Sequence, residues 1–187
     1  MAAEGKIALR GFDRLSLFPV IKNTTEEYEV GERFAVPEVQ SMTKDSDTTE
    51  ETIYADDRVY LHQVDWNGLN ATITIAEMTL EMMGKLGFGT WDDTTKTLAW
   101  NPQGTNKEFA AAFACLRADN KYRMYKLYSF NISEVTESGI TTKGSGGGIN
   151  AYQLAGMFTG RKVDNRPGEI HDGDDLTWLN TIEGESA

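Results

Sequence analysis

The sequence predicts a mainly β protein: an antiparallel β-sandwich or partly open barrel with one short flanking α-helix. Two patterns lead to this fold class. About eight short runs are rich in β-branched and aromatic residues and are separated by turn-forming residues, whereas only one segment carries helix start and stop signals. With 187 residues, 40% of them hydrophobic, the chain is long enough to bury one core.

The first strand patterns are interrupted by prolines. Residues 15–21 form a short apolar run in which Pro19 cannot donate to a neighbouring strand, so we expect an edge strand. Residues 33–43 predict a second strand, again with an internal proline. The threonine-rich residues 48–54 predict a strand or an extended arm.

A turn followed by a half-buried strand is predicted next. Residues 58–65 have the β-branched and aromatic content of a strand, and the Asn67-Gly68 dipeptide is a strong turn signal. Residues 70–76 (NATITIA) alternate polar and apolar side chains with a period of two, which is typical of a strand with one buried face.

One segment predicts a helix. Thr79 is a suitable N-cap, Gly87 is a suitable stop, and Leu80, Met83 and Leu86 would share one face. A helix of about two turns is not stable alone, so it has to pack on the sheet.

The C-terminal half predicts further strands. Phe109 to Leu116 also fit helical spacing, but a tight turn at 118–121 followed by the long alternating run 122–132 favours an antiparallel strand over 108–117. The remaining predictions are a hairpin over 91–100, strands at 136–143 and 151–163 around the glycine-rich residues 144–148, and an apolar anchor at 176–179.

Two segments carry the whole net charge of −11. Residues 41–57 hold six acidic residues and one basic residue, and residues 164–187 hold seven and one. So acidic a surface argues against a protein that coats nucleic acid, because phosphate binding needs a basic face. The segments are either solvated chain that keeps the protein soluble, or a field directed at a like-charged polymer or a cationic partner.

No catalytic, cofactor-binding or metal-binding motif is present in the sequence. His62 and His171 are far apart and lack a paired nucleophile motif, and the single cysteine, Cys115, excludes a CxxC motif and an internal disulfide. Residues 171–175 lack the EF-hand register, and in residues 143–148 the lysine precedes the glycines, contrary to a P-loop. The chain shows neither a signal-peptide pattern nor a membrane-spanning run. A structural or binding role is therefore expected.

Several stretches, in order along the chain, carry a family resemblance. Residues 51–57 (ETIYADD) are similar to an E-x-x-x-Y-A-D-D pattern, residues 69–86 join a threonine-rich strand to a short helix, and residues 112–132 contain Lys-Tyr followed by Leu-Tyr. The opening residues 11–20 (GFDRLSLFPV) also match. Together they resemble the major tail proteins, or tail-tube proteins, of long non-contractile-tailed bacteriophages.

The resemblance covers most of residues 11–160. It departs from the family pattern at Asp119-Asn120, where the family has a glycine before Lys-Tyr, and residues 161–187 show it least. It implies the tail-tube fold, with residues 1–163 as one β-sandwich tube domain and residues 164–187 as an acidic C-terminal arm.

The resemblance also implies a function. It implies a structural virion protein, not an enzyme, without cofactor or metal, whose hexameric rings stack into a tail tube through which DNA passes into the host without specific binding. The implied partners are further copies of this chain and other tail proteins, such as the tape measure, tail terminator and distal tail proteins. The implied location is the virion tail, assembled in the host cytoplasm, with no membrane contact.

Two sets of residues are candidates for assembly. A long loop at about 41–57 is expected to contact the next ring and to become ordered on assembly; its candidate residues are Lys44, Asp45, Asp47, Glu50, Glu51, Tyr54, Asp56 and Asp57. The helix residues Thr79, Leu80, Met83 and Leu86 are expected to pack outside the sandwich and support the inner barrel. Sequence alone does not say which acids face the bore, because a one-residue register change exchanges the two faces of a strand.

Three alternatives remain open at this point. A monomeric β-sandwich module that binds carbohydrate or protein is one, although the aromatic residues are dispersed among the strands. A tube protein of a phage-derived secretion device has the same physical properties as a tail tube. An enzyme with a carboxylate pair, such as Asp56 with Asp57 or with Asp92, is disfavoured because adjacent strand residues point to opposite faces.

Overall fold

Strands make up most of the computed structural model, which describes residues 8–101, 107–137 and 151–182. The strands are β1 (Leu9–Asn23), β2 (Tyr28–Val30), β3 (Phe34–Val36), β4 (Val39–Ala55), β5 (Arg58–Ile75), β6 (Gly89–Asp92), β7 (Thr97–Trp100), β8 (Glu108–Arg117), β9 (Tyr122–Glu137), β10 (Tyr152–Thr159) and β11 (Gly168–Gly173). The helices are α1 (Leu80–Leu86) and a short 3₁₀ helix, Leu176–Asn180.

One large antiparallel sheet organises the molecule. Its strands follow the order β2-β1-β8-β9-β10-β5-β4, while β3 pairs with β1, β11 pairs with β9, and β6 and β7 form a separate hairpin. The sheet does not close into a barrel. The predicted fold class, a mainly β sandwich with one short helix, is confirmed.

Apolar side chains pack on both faces of the central strands. The main core lies between β1, β8 and β9 on one side and β10 and β5 on the other, and includes Leu17, Phe113, Ile73 and Phe158. A second cluster, on the opposite face of β8 and β9, is covered by the C-terminal residues Leu179 and Ile182. The central strands are therefore buried on both faces, which explains the apolar run of β8.

The strand prediction over 108–117 is confirmed by β8, which pairs with β9 along its length. The helical spacing of its apolar residues arises because both of its faces are buried. Asn120 has a positive φ of 62° in the turn between the two strands, at the position where the tail-tube pattern has glycine. Asparagine tolerates that conformation better than most residues.

The predicted edge position of Pro19 is wrong, because β1 lies inside the sheet between β8 and the short strands β2 and β3. Pro19 is tolerated because it sits in the gap between the β3 pairing at Leu15–Leu17 and the β2 pairing that begins at Val20. Its carbonyl accepts a hydrogen bond from the Gly31 amide at 2.7 Å, so the missing N–H faces that gap.

The turn predicted at Asn67-Gly68 is also wrong. Strand β5 runs without interruption from Arg58 to Ile75, and Asn67 is the extra residue of a β-bulge. The segment 41–57 is correspondingly not a loop: residues up to Ala55 form β4, and the chain turns at Asp56 and Asp57. Pairing with β4 along the whole strand overrides the local turn preference.

The helix forms where it was predicted. The Thr79 hydroxyl accepts a hydrogen bond from the Met82 amide at 3.2 Å, and Gly87 ends the helix in the left-handed conformation, with φ of 94°. Of the residues predicted to share a face, Leu86 is buried and Met83 packs against the core, whereas Leu80 is 47% exposed, so its prediction is wrong. Met82, which was not predicted, also enters the core.

The described part of the C-terminal segment is folded onto the sheet. Strand β11 pairs with the first half of β9, and the Trp178 ring lies 4.1 Å from the Lys126 ammonium. Only the first two residues of the strand predicted at 136–143 are described: Thr136 and Glu137 form the end of β9. The rest of that prediction and the glycine-rich residues 144–148 lie outside the described residues.

Candidate functional site

The β4–β5 hairpin extends far beyond the rest of the sheet. Strand β10 pairs with β5 only from Leu69 to Ile75, so residues 58–68 have no strand pairing on that side among the described residues. The other edge of β4 has no strand partner in the described residues. We call residues 48–66 the arm; at the rise of an antiparallel strand, the eleven residues 58–68 span about 35 Å.

Local sequence explains why the arm is a hairpin. Asp56 and Asp57 both have positive φ, 51° and 60°, which is the backbone of a type I′ turn and matches the twist of the paired strands. Cross-strand contacts on both faces align the two strands: the Thr52 hydroxyl lies 2.9 Å from His62 Nδ1, and the Asn67 amide donates to the Thr49 hydroxyl at 2.8 Å.

The bulge at Asn67 decides which side chains the arm presents on each face. Within the body of the sheet, Ile73 points into the core opposite Met42. Beyond the bulge, Trp66 is opposite Thr48 and Val64 is opposite Glu50, so even-numbered β5 residues continue the core side. If Asn67 were instead paired as an ordinary strand residue, the polar Asp65 and Gln63 would occupy that side.

Because of this register, the core side of the sheet continues onto the arm as an exposed apolar surface. We call it the inner face of the arm; its apolar members are Tyr54, Val59, Val64 and Trp66. Tyr54 is 67% exposed, and the neighbouring Tyr60, at the second bulge, is 77% exposed. The same face also carries Thr48, Glu50, Thr52 and His62, so it is a mixed surface with several large exposed apolar side chains.

The opposite side of the same strands is polar. We call it the polar face: the side chains of β4, β5, β10 and the second half of β9 that point away from the core. Its carboxylates are Asp45, Asp47, Glu51, Asp65 and Glu134, and its neighbouring residues are mostly Ser, Thr, Asn and Gln. Near the tip of the arm it also carries one exposed apolar pair, Ile53 opposite Leu61. Among the described residues of this face, the one lysine or arginine is Arg58, which lies beside the hairpin turn.

The structure spreads the predicted loop residues along β4. Asp45, Asp47 and Glu51 lie on the polar face, Glu50 and Tyr54 lie on the inner face, and Asp56 and Asp57 form the turn. Within the part of the chain that is described, none of these six carboxylates has an ion-pair partner. Their charge is therefore not neutralised by an ion pair within the described residues.

Lys44, the predicted basic residue of this set, is separated from the acids. It lies on the core side, opposite Ala71, with its ammonium 4.3 Å from the Tyr125 ring and 5.2 Å from the Phe113 ring. Partial burial lowers the pKa of Lys44. The residue thus covers the open end of the core near the base of the arm.

The predicted helix residues lie at the other end of β5. Leu80 and Met83 line a groove of about 660 Å³ together with Leu98, Trp100 and Tyr152, and Lys96 and Glu137 lie at its rim. Thr79 is the N-cap, and Leu86 is in the core. The two predicted sets are therefore not brought together. The residues predicted as a loop lie along β4 and in the turn before β5, whereas the helix residues follow the end of β5.

Comparisons with known proteins give no family assignment. No family model matches the chain, and no curated protein matches it. Among solved structures, it is similar to the cryo-EM structure of the anti-feeding prophage (AFP) baseplate, 6-fold symmetrised, with a TM-score of 0.45 and 12% sequence identity, covering 94% of this chain and 100% of that one. A likeness this distant carries no assignment of function.

The described residues bring no three His, Cys, Asp or Glu side chains together in a way that could hold a metal ion. Nor does a helix in these residues have the length and apolarity to cross a membrane. Sequence reasoning predicted a strand at residues 58–65 but missed that Val59, Val64 and Trp66 are exposed together on one face of an arm. The signal that could have found them is the continuous run 58–75, which is too long for one sandwich strand.

Proposed function

We propose that this protein is the structural subunit of a phage-type tail tube. In this proposal it assembles with itself into hexameric rings that stack into a hollow conduit for DNA, as the resemblance of residues 11–160 implies. The observation that carries the proposal is the arm. A two-stranded hairpin is marginally stable alone in water, and this one exposes apolar side chains and two open edges, so further copies are needed to cover it.

The order of strands supports assembly into a ring. The two outer strands of the sheet, β2 and β4, are different strands, so each subunit offers two unlike edges to its neighbours. A contact between different edges of identical subunits is heterologous, and such contacts close into rings.

The polar face supports the conduit. A bore lined by carboxylates, Ser, Thr and Asn, with Arg58 as the one cation among the described residues of this face, would repel DNA phosphates, so the genome could slide without adhering. We place the polar face toward the bore and the inner face of the arm toward protein. The tape measure, tail terminator and distal tail proteins are the proposed further partners, and the virion tail is the proposed location.

The test is negative-stain electron microscopy with light scattering on the same samples, over a protein concentration series. Sulfate is added in a second series because it strengthens burial of apolar surface. Rings or hollow tubes of uniform diameter are expected, and a variant in which a Gly-Gly pair replaces residues 48–66 should remain monomeric. Monomers under every condition, with the arm intact, would contradict the proposal and favour a monomeric binding module.

A further inference from the structure

The base of the arm carries a chemically labile dipeptide. Asn67 is the one asparagine in the sequence that is followed by glycine. A glycine in this place leaves the backbone nitrogen unshielded, which favours attack of that nitrogen on the asparagine side chain. We propose that Asn67 is a site of spontaneous deamidation and that the product loosens the arm where it joins the sheet. This inference does not rest on the proposed function, because it concerns the chemistry of a single subunit.

The reaction needs only the chain and water. The Gly68 nitrogen bonds to the side-chain carbonyl carbon of Asn67, the bond from that carbon to the amide nitrogen breaks, and ammonia leaves with the proton of the Gly68 N–H. Water then opens the cyclic imide. Opening at one carbonyl gives aspartate, and opening at the other gives isoaspartate, which adds one carbon atom to the main chain.

Packing requires glycine at position 68. A Cβ there would lie 2.7 Å from the Phe158 carbonyl oxygen and 3.0 Å from two atoms of the Met157 side chain. The glycine therefore serves the close approach of β10 and not a turn, since β5 continues through it. A larger residue, which would shield the nitrogen, does not fit unless the backbone of β10 moves.

Asn67 lies outside the regular ladder of the hairpin. It is the exposed extra residue of the bulge, and the pairing of β5 with β10 ends just beyond Gly68, at Leu69. Ring closure requires rotation of the Asn67 backbone out of the extended conformation, so this part of the hairpin has to open first. A two-stranded hairpin opens at low cost. By contrast, Asn70 and Asn131 are each paired with strands on both sides.

Deamidation changes the contact that joins β5 to β4 at the bulge. The Asn67 side-chain amide donates to the Thr49 hydroxyl at 2.8 Å and to an Asp47 carboxylate oxygen at 3.5 Å. A hydroxyl can reverse its role and donate to a carboxylate, so the Thr49 contact survives the change. Ionised Asp47 has no proton to donate. Two carboxylates would therefore face one another across the strands, which weakens the pairing.

Peptide mapping by mass spectrometry tests the site. Free subunits are incubated at mildly alkaline pH, folded in buffer or unfolded in urea, and a gain of about one dalton is followed at each asparagine. Dividing the folded rate by the unfolded rate removes the effect of the following residue. We expect this ratio to be at least about tenfold larger for Asn67 than for Asn70 or Asn131. Asn67→Gln is the matched control, because it keeps the side-chain amide but would have to close a six-membered ring.

Three results would overturn the proposed site. The first is no conversion of Asn67 in the folded protein over a time that converts it in urea. The second is an equal ratio for the three asparagines, because the reaction would then follow global unfolding and not opening at the base of the arm. The third is an equal gain in the same peptide of Asn67→Gln, which would place the reaction at another residue.

Amide hydrogen exchange tests the effect on the arm. Asn67→Asp, which has the side chain of one product, should raise the exchange rates of residues 48–66 about two- to fivefold. Adding Asp47→Asn should return them to near the wild-type values, because one carboxylate then remains at the bulge. Asn70→Asp is the control, since it places the same new charge opposite Asp45 inside the sheet and should leave the arm unchanged. Equal exchange in Asn67→Asp and the wild type, or no recovery in the double variant, would overturn the loosening of the arm by repulsion from Asp47.

Discussion

At the residue scale, a buried arginine holds the connection after β10. Arg161 is 1% exposed, and its guanidinium donates to both carboxylate oxygens of Asp164, at 2.9 and 2.8 Å. It also lies over the Tyr128 ring at 4.2 Å and the Tyr28 ring at 5.7 Å. Hydrogen bonds from Arg161 lower the pKa of Asp164 to about 2.

Asp164→Asn should therefore lower the free energy of unfolding by about 2–4 kcal/mol at pH 7, because it leaves a buried cation with less compensation. The folded-state pKa of Asp164 lies below its ordinary value of 3.8, so its contribution is fully present above that value and is lost as pH falls toward 2. Urea unfolding between pH 2 and 7 checks this.

The wild-type protein should lose stability over that interval more steeply than Asp164→Asn does. Asp47→Asn, an unpaired carboxylate on the polar face, is the control and should change the pH profile little. Parallel pH profiles for the wild type and Asp164→Asn would show that the pair does not contribute to stability.

Gly156 is a second residue whose identity the packing requires. A Cβ at this position would meet the Asn131 carbonyl oxygen and would lie 2.8 Å from Cε2 of Phe130, whose ring stacks on Phe158 at 4.1 Å. Gly156→Ala should cost about 1–3 kcal/mol, since backbone and stacked rings have to move. Gly11→Ala is the matched control, because no atom lies within 4 Å of its Cβ.

Thermal unfolding of both variants decides this point. The expected result is a clearly lower Tm for Gly156→Ala and a Tm near the wild-type value for Gly11→Ala. Equal Tm values would mean that the strands at the β9 bulge can separate without loss of packing.

At the element scale, local signals predict some elements well and others badly. The helix was predictable because its N-cap, stop and length are set by residues within one short segment, Thr79 to Gly87. The β8–β9 pair was predictable because a tight turn joins two adjacent runs. The turn predicted at Asn67-Gly68 was wrong because β5 pairs with β4 on both sides of this dipeptide, and that pairing outweighs the local turn preference.

The arm was the least predictable part of the molecule. Trp66 and Val64 have the composition of buried residues, and nothing local shows that β10 ends before reaching them. The extent of neighbouring strands is a tertiary property. The composition of the polar face could not be predicted without the position of the bulge. A register shift of one residue would put Trp66 on that face in place of Asp65.

Inserting one residue between Asp47 and Thr48 should therefore prevent assembly without unfolding the subunit. The inserted residue would pair with Asn67 and remove the bulge, which would turn Trp66 and Val64 to the polar face and put Asp65 and Gln63 on the inner face of the arm. Light scattering should show loss of assembly, while the Tm of the monomer stays close to wild type, because the core residues of β5, such as Ile73, lie on the other side of the bulge. Deleting Asn67 removes the bulge but keeps Trp66 opposite Thr48, so this control should still assemble; equal assembly by the insertion variant would contradict the role of the inner face.

At the scale of the whole molecule, the polar face and the bore make the last prediction. Asp45→Lys, Asp47→Lys and Glu134→Lys together would place three cations on the polar face, away from the arm edges. Assembled particles of this variant should retain fluorescent duplex DNA at 50 mM salt and release it at 200 mM, because phosphate contacts release counterions. Wild-type particles should retain no DNA at either salt concentration.

The control variant replaces Glu26, Glu32 and Asp174 with lysine, which changes the net charge by the same amount at exposed positions outside the polar face. If the control variant retained as much DNA as the test variant, net charge alone would explain DNA binding. That result would contradict the proposal that the polar face lines the bore.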